Sequence, residues 1–125
     1  MIADDHSSFR RVLRDFVPGA HAVVECADGT EVVSRFAEER PDCVLMDVEM
    51  PGLDGIAATR IIRRQFPTAC VIIVTQHDDP DARLAASQAG AVAFVPKERL
   101  FELNTCLAAF VPDFVVSSAT GNQFP

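Results

Sequence analysis

The sequence is short of positive charge. Eleven Lys plus Arg stand against 18 Asp plus Glu, a formal net charge of −7. Gripping nucleic acid or anionic lipid requires a basic face that neutralises phosphates, so neither is expected of this segment. Long hydrophobic runs are also missing, and none approaches the ~20 residues of a membrane span. Asp4 and Asp5 occupy the stretch where a secretory leader would carry basic residues ahead of an apolar run, so no leader is expected. The four cysteines, Cys26, Cys43, Cys70 and Cys106, include no C-x-x-C pair. Their wide spacing suggests neither a zinc site nor a redox motif. Each sits in an apolar stretch, where a free thiol behaves as a small hydrophobe. Reduced thiols in such a chain fit a cytoplasmic protein. Internal repeats and low-complexity tracts are absent.

What remains is one domain's worth of chain: 125 residues, 49% hydrophobic, enough for a single core. Short apolar runs at 1–3, 22–24, 43–46, 71–74 and 92–95 alternate with amphipathic stretches. Near-continuous apolar strands belong to parallel sheets covered on both faces. The stretches between them carry helical spacing. Phe9, Val12, Leu13, Phe16 and Val17 form one stripe, and Val32, Val33, Phe36 and Ala37 a second. Ala58, Ile62 and Phe66 make a third, Ala82, Ala85, Ala86 and Ala89 a fourth, and Leu100, Leu103, Leu107 and Phe110 a fifth. Asp28 with Glu31 resembles a capping box, Asp54 is placed to cap the third helix, and Asp79-Pro80 reads as a cap followed by the first helical residue. Pro18-Gly19, Pro41, Pro67 and Gly90 punctuate the helix ends.

The order is therefore βαβαβαβαβα. This predicts an α/β, doubly wound, flavodoxin-like fold: five parallel strands in the order 2-1-3-4-5 with five helices. Ligands of such folds bind beyond the carboxyl ends of the strands where the strand order reverses, between the first and third strands. The domain is expected to fill residues 1–112, with 113–125, including the apolar patch at 114–116, a tail or linker stub.

Polar residues placed on this frame converge. Asp4 and Asp5 follow the first strand, Asp47 the third, Thr75 ends the fourth, and Lys97 follows the fifth. Three anions in one crevice require a cation or raised pKa values. Hard oxygen ligands suit Mg²⁺. A hydroxyl, an ammonium and a metal around a carboxylate suit phosphoryl transfer, which needs mainly positioning and charge stabilisation, with the carboxylate as nucleophile.

At this point residues 1–110 resemble the receiver domains of two-component response regulators. The match is densest at 45–55, Leu-Met-Asp-Val-Glu-Met-Pro-Gly-Leu-Asp-Gly, with support from Ala3-Asp4-Asp5-His6, Val74-Thr75 and Gly90-Ala91-Val92-Ala93-Phe94-Val95-Pro96-Lys97. The Asp-Asp-His start and the 75–79 stretch look nearest to NarL/LuxR-type regulators. The resemblance implies that a histidine kinase or phosphotransfer protein phosphorylates Asp47. It implies Mg²⁺ held by Asp5, Asp47 and the Glu49 backbone carbonyl, with Asp4 acting through a water. Lys97 would pair with the carboxylate and then the phosphoryl group, and Thr75 would swing inward with the aromatic Phe94 as a switch. Phe94 also reads as a plain core residue. Glu49, Gln76 and His77 would tune access and dephosphorylation, although Glu49 and His77 read equally as solvated loop residues. A homodimer and a transcriptional output through a separate DNA-binding domain are further implications.

The pattern departs from the family in three places. Only three residues precede Asp4, as in a truncated or misplaced start. Glu98 follows Lys97 where the family often has Pro, and the bulky Gln76 follows Thr75. Two other readings stay open here. A haloacid-dehalogenase-like phosphatase also uses an aspartyl nucleophile, but on the first strand. A stand-alone interaction module of the same fold would work without phosphorylation, though such modules tend to lose these acids.

Overall fold

The computed structural model describes residues 1–19 and 21–114. Five strands, β1 (Ile2–Ala3), β2 (Glu25–Cys26), β3 (Val44–Met46), β4 (Val71–Thr75) and β5 (Ala93–Pro96), alternate with five helices. These are α1 (Ser7–Arg14), α2 (Gly29–Glu39), α3 (Gly55–Gln65), α4 (Pro80–Ala89) and α5 (Glu102–Phe110). The sheet is wholly parallel in the order β2-β1-β3-β4-β5, as the alternation predicts.

Side chains of a strand alternate between faces, and this splits the core in two. Val44, Met46, Val71 and Ile73 point to the layer of α2, α3 and α4, where they meet Val32, Phe36, Ala58, Ile62 and Ala86. Leu45, Ile72, Val74 and Val95 point the other way, onto Leu13 of α1 and Leu103 and Leu107 of α5. With both faces covered, the central strands β3 and β4 are almost wholly apolar, and all five residues of β4 are buried. Each fully buried Ile or Leu contributes about 1.5–3 kcal/mol of transfer free energy.

The polar caps behave as their spacing predicts. Asp28, Asp54 and Asp79 each accept the backbone N–H three residues on, at 2.8 Å. The Glu31 carboxylate in turn accepts the N–H of Ala27, one residue before the cap. Gly90, at φ 104°, closes α4 in the left-handed region.

Three boundaries differ from the pattern reading. The second strand is centred on Glu25 and Cys26, not on 22–24. Its register is dictated by β1, which pairs Ile2 with Glu25 and Ala3 with Cys26. A glutamate is tolerated on this edge strand because Arg10 and Arg14 bind it at 2.8 and 2.6 Å. The first helix ends at Arg14, so Val17 lies beyond it and Val12 is 41% exposed. The last helix begins at Glu102, after a 3₁₀ turn over Lys97–Arg99, and its Phe110 is likewise exposed. Val111 and Phe114 still pack on the α1/α5 side of the core. The rest of the expected tail, residues 115–125, lies outside the described residues. Among the described residues, no helix is long and apolar enough to cross a membrane.

Candidate functional site

The acidic site is a consequence of register. Ala3 of β1 pairs with Met46 of β3, so the residues that follow them, Asp4 and Asp47, emerge side by side. Both amides stay in the ladder, Asp4 N on Cys26 O at 3.1 Å and Asp47 N on Ala3 O at 2.9 Å. Thr75 pairs with Pro96 across β4 and β5, which sets Lys97 one residue past the same edge. The Lys97 Nζ lies 2.8 Å from Asp4 Oδ2 and 3.4 Å from Asp47 Oδ2. Lys97 is the only lysine in the sequence.

The chain leaves Asp47 through a loop that needs two glycines. Gly52 has φ 78°, a left-handed conformation that side chains resist. Gly55 opens α3 so close to Asp47 that an added Cβ would stand 1.9 Å from the Asp47 carbonyl oxygen. Its amide donates to Val48 O at 2.7 Å, folding the loop back on the acceptor strand.

Burial decides the electrostatics. Asp4 is fully buried and Asp47 is 5% exposed. Burial pushes the Asp47 carboxyl above the ordinary carboxylate range; the Lys97 ammonium opposes that shift, and the Asp4 charge adds to it. The Val48 amide donates to Asp47 Oδ1 at 2.8 Å, and the His6 amide to Asp4 Oδ1 at 2.8 Å. Carboxylate or imidazole atoms of Asp4, Asp5, His6 and Asp47 all lie within 4.8 Å of one another. Three carboxylates against one ammonium leave a formal surplus of two negative charges, the complement of a divalent cation. The donor set is mainly hard oxygen and so fits Mg²⁺.

The remaining predicted residues divide into those at the crevice and those behind it. Asp5, Asp47, Glu49, Gln76 and Lys97 line it together with His6. Glu49 and His77 form an exposed pair, Nε2 to Oε1 at 2.7 Å, and the Glu49 hydrogen bond raises the His77 pKa. Thr75 is fully buried and does not line the crevice; its hydroxyl accepts the His77 N–H at 3.2 Å. Phe94 is half-buried, with the Arg83 guanidinium 4.7 Å from its ring centroid.

Sequence reasoning missed three neighbours. His6 Nδ1 lies 3.1 Å from Asp5 and 3.3 Å from Asp4. The Phe9 ring carries the Lys97 ammonium 4.1 Å from its centroid. Arg10 donates to the Asp4 carbonyl at 2.6 Å. Phe9 fitted the apolar stripe of α1 and read as core; only the fold brings Lys97 to it.

A family model described as the response regulator receiver domain matches residues 1–107. The chain belongs to the response regulator receiver domain family. It is 38% identical over 108 residues to the DNA-binding transcriptional regulator NtrC of Salmonella typhimurium, covering 86% of this chain and 23% of that protein. Among solved structures it is similar to a LuxR-family two-component response regulator from Aurantimonas sp. (37% identity, TM-score 0.75, covering 87% of this chain and 84% of the other). It is also similar to the receiver domain of the putative response regulator NarL from Mycobacterium tuberculosis (28% identity, TM-score 0.78, covering 86% and 90%). Its fold is the flavodoxin-like receiver fold. Receiver domains of two-component systems accept a phosphoryl group in a Mg²⁺-dependent step, and membership assigns that role to this chain. The receiver spans about a quarter of the length of the NtrC relative.

Proposed function

We propose that Asp47 is the phosphoacceptor of this receiver and that a histidine kinase or phosphotransfer protein is its donor. The observation that carries the assignment is Lys97 Nζ bridging two buried carboxylates, at 2.8 Å from Asp4 and 3.4 Å from Asp47. An Asp47 oxygen forms the new bond to phosphorus as the bond to the donor nitrogen breaks, and the electron pair leaves with that nitrogen. Asp5, Asp47 and the Glu49 backbone carbonyl would hold Mg²⁺, with Asp4 reaching it through a water. The bound ion supplies charge neutralisation for the transferring group.

The chain's own residues do the rest. Lys97 neutralises the acceptor before transfer and the phosphoryl oxygens after it. Thr75 exchanges its bond with the His77 amide for one to a phosphoryl oxygen, and Phe94 follows it inward, changing the α4–β5–α5 surface used for dimerisation or output. Glu49 and Gln76, which line the crevice, and His77, paired with Glu49, set how readily donor and water enter. On this reading the chain is a phosphoacceptor, confined to self-phosphorylation and autodephosphorylation, working in the cytoplasm within a transcriptional regulator.

The test is incubation with a small phosphodonor and Mg²⁺, read by intact mass. The wild-type chain gains about 80 Da, one phosphoryl group, while Asp47→Asn and chelator-treated samples gain nothing. Labelling of Asp47→Asn to the wild-type extent refutes the acceptor assignment. Sustained turnover of a generic phosphoester would instead favour a phosphatase.

A further inference from the structure

The fold overrides one conclusion drawn from spacing. Cys43 and Cys70 are far apart in sequence, yet their sulfurs lie 3.4 Å apart. They immediately precede Val44 and Val71, which pair across β3 and β4, and the ladder bond from Val44 N to Cys70 O is 2.9 Å. Adjacent strands run about 4.8 Å apart, inside the roughly 4.4–6.8 Å that a disulfide spans between Cα atoms. Residues directly opposite each other point to the same face, and both thiols join the core between the sheet and α1/α5. Cys43 is 8% exposed, whereas Cys70 is partly open to solvent.

We infer that Cys43 and Cys70 form a reversible disulfide on exposure to a peroxide, a modification site at the edge of the sheet opposite the acidic crevice. This inference is independent of which residue accepts phosphate. Cys70 is the attacking sulfur. Of the two sulfurs it is the one open to solvent, and its hydrogen bond with Cys43 together with the charge of Arg63 holds its thiol below the ordinary range. The hydrogen bond with Cys70 and burial push the Cys43 thiol well above the ordinary range. Arg63 is fastened beside Cys70 by bonds to the carbonyls of Pro67 and Ala69.

The chemistry balances. The Cys70 thiolate takes one peroxide oxygen, the O–O bond breaks, and the other oxygen leaves as water after taking a proton. Cys43 sulfur then attacks the Cys70 sulfenic acid, the S–S bond forms, the S–O bond breaks, and a second water leaves with the Cys43 proton. Two thiols are oxidised by two electrons and one peroxide is reduced to two waters. The closed loop contains β3, Asp47 and all of α3, so the link ties together the amino ends of the two strands that carry Asp47 and Thr75 at their carboxyl ends.

The experiment treats the reduced chain with hydrogen peroxide, alkylates the remaining thiols, and reads the intact chain and its peptides by mass. The expected result is a loss of about 2 Da, the two hydrogens of a dithiol. Two of the four thiols become inaccessible to alkylation, in a single cross-linked Cys43–Cys70 peptide pair, and a dithiol reductant reverses both changes. Cys43→Ser leaves a sulfenic acid on Cys70 that a dimedone probe traps, and Cys106→Ser forms the wild-type link. Four alkylatable thiols after treatment, overoxidation without a link, or a link from Cys70 to Cys106 would each overturn the inference. The wild-type peptide map decides the outcome even where a serine variant fails to fold.

Discussion

Replacing Lys97 by Met tests whether the ammonium holds the acidic site together. Met keeps most of the length of the lysine stem and removes the ammonium that lies over the Phe9 ring. Two carboxylates, 1% and 6% exposed at the side chain, then face each other without a cation. Removing one partner of a buried ion pair costs about 3–5 kcal/mol, against a total stability of about 5–15 kcal/mol for such a domain. With a urea slope of about 2 kcal/mol per molar, the unfolding midpoint should fall by about 1.5–2.5 M at pH 7 in the presence of a chelator. The loss should depend on pH in a stated direction. The Asp47 carboxyl already sits above the ordinary value of 3.8, and Lys97 is what holds it down. Without the lysine it rises further, so the folded variant binds a proton that the unfolded chain has released. Stability is therefore retained below the unfolded value and lost as pH climbs through the folded one, and the deficit at pH 5 should be smaller than at pH 7. The double variant Lys97→Met/Asp47→Asn should recover part of the loss. A midpoint within about 0.3 M of wild type at pH 7, or equal losses at both pH values, would refute the reasoning.

Three further outcomes are expected. Asp47→Asn removes a buried charge beside Asp4 and should raise stability at neutral pH by roughly 1 kcal/mol; the gain should shrink as pH falls toward 3.8 in paired urea titrations. Gly55→Ala drives a methyl into the Asp47 carbonyl and should cost more than about 3 kcal/mol, with phosphodonor labelling lost alongside; an unchanged thermal midpoint would show that the loop relaxes freely. Asp54→Ala removes the cap on Ala57 N and should cost about 1 kcal/mol by chemical denaturation, with the sheet intact by circular dichroism.

The fold was legible because its signals are local and agree with one another. Apolar strands of three to five residues, helical stripes, and Asp caps at three helix starts each report on a few neighbouring residues. The carboxyl-end positions of Asp4, Asp47, Thr75 and Lys97 followed from the strand order alone. The second strand slipped because its place depends on pairing with β1 and on Arg10 and Arg14 reaching Glu25, contacts that a window of local sequence does not contain.

Sequence by itself determined the alternation of elements, the parallel sheet and the set of charged residues at one edge, since periodicity and capping are short-range properties of the chain. Tertiary structure alone decided which of those residues touch. Lys97 sits nearer Asp4 than Asp47, Thr75 spends its hydroxyl on the His77 amide, and Cys43 meets Cys70 at the opposite edge. Such contacts join residues dozens of positions apart, and they arise from the stagger of neighbouring strands, which is settled only when the whole sheet is assembled.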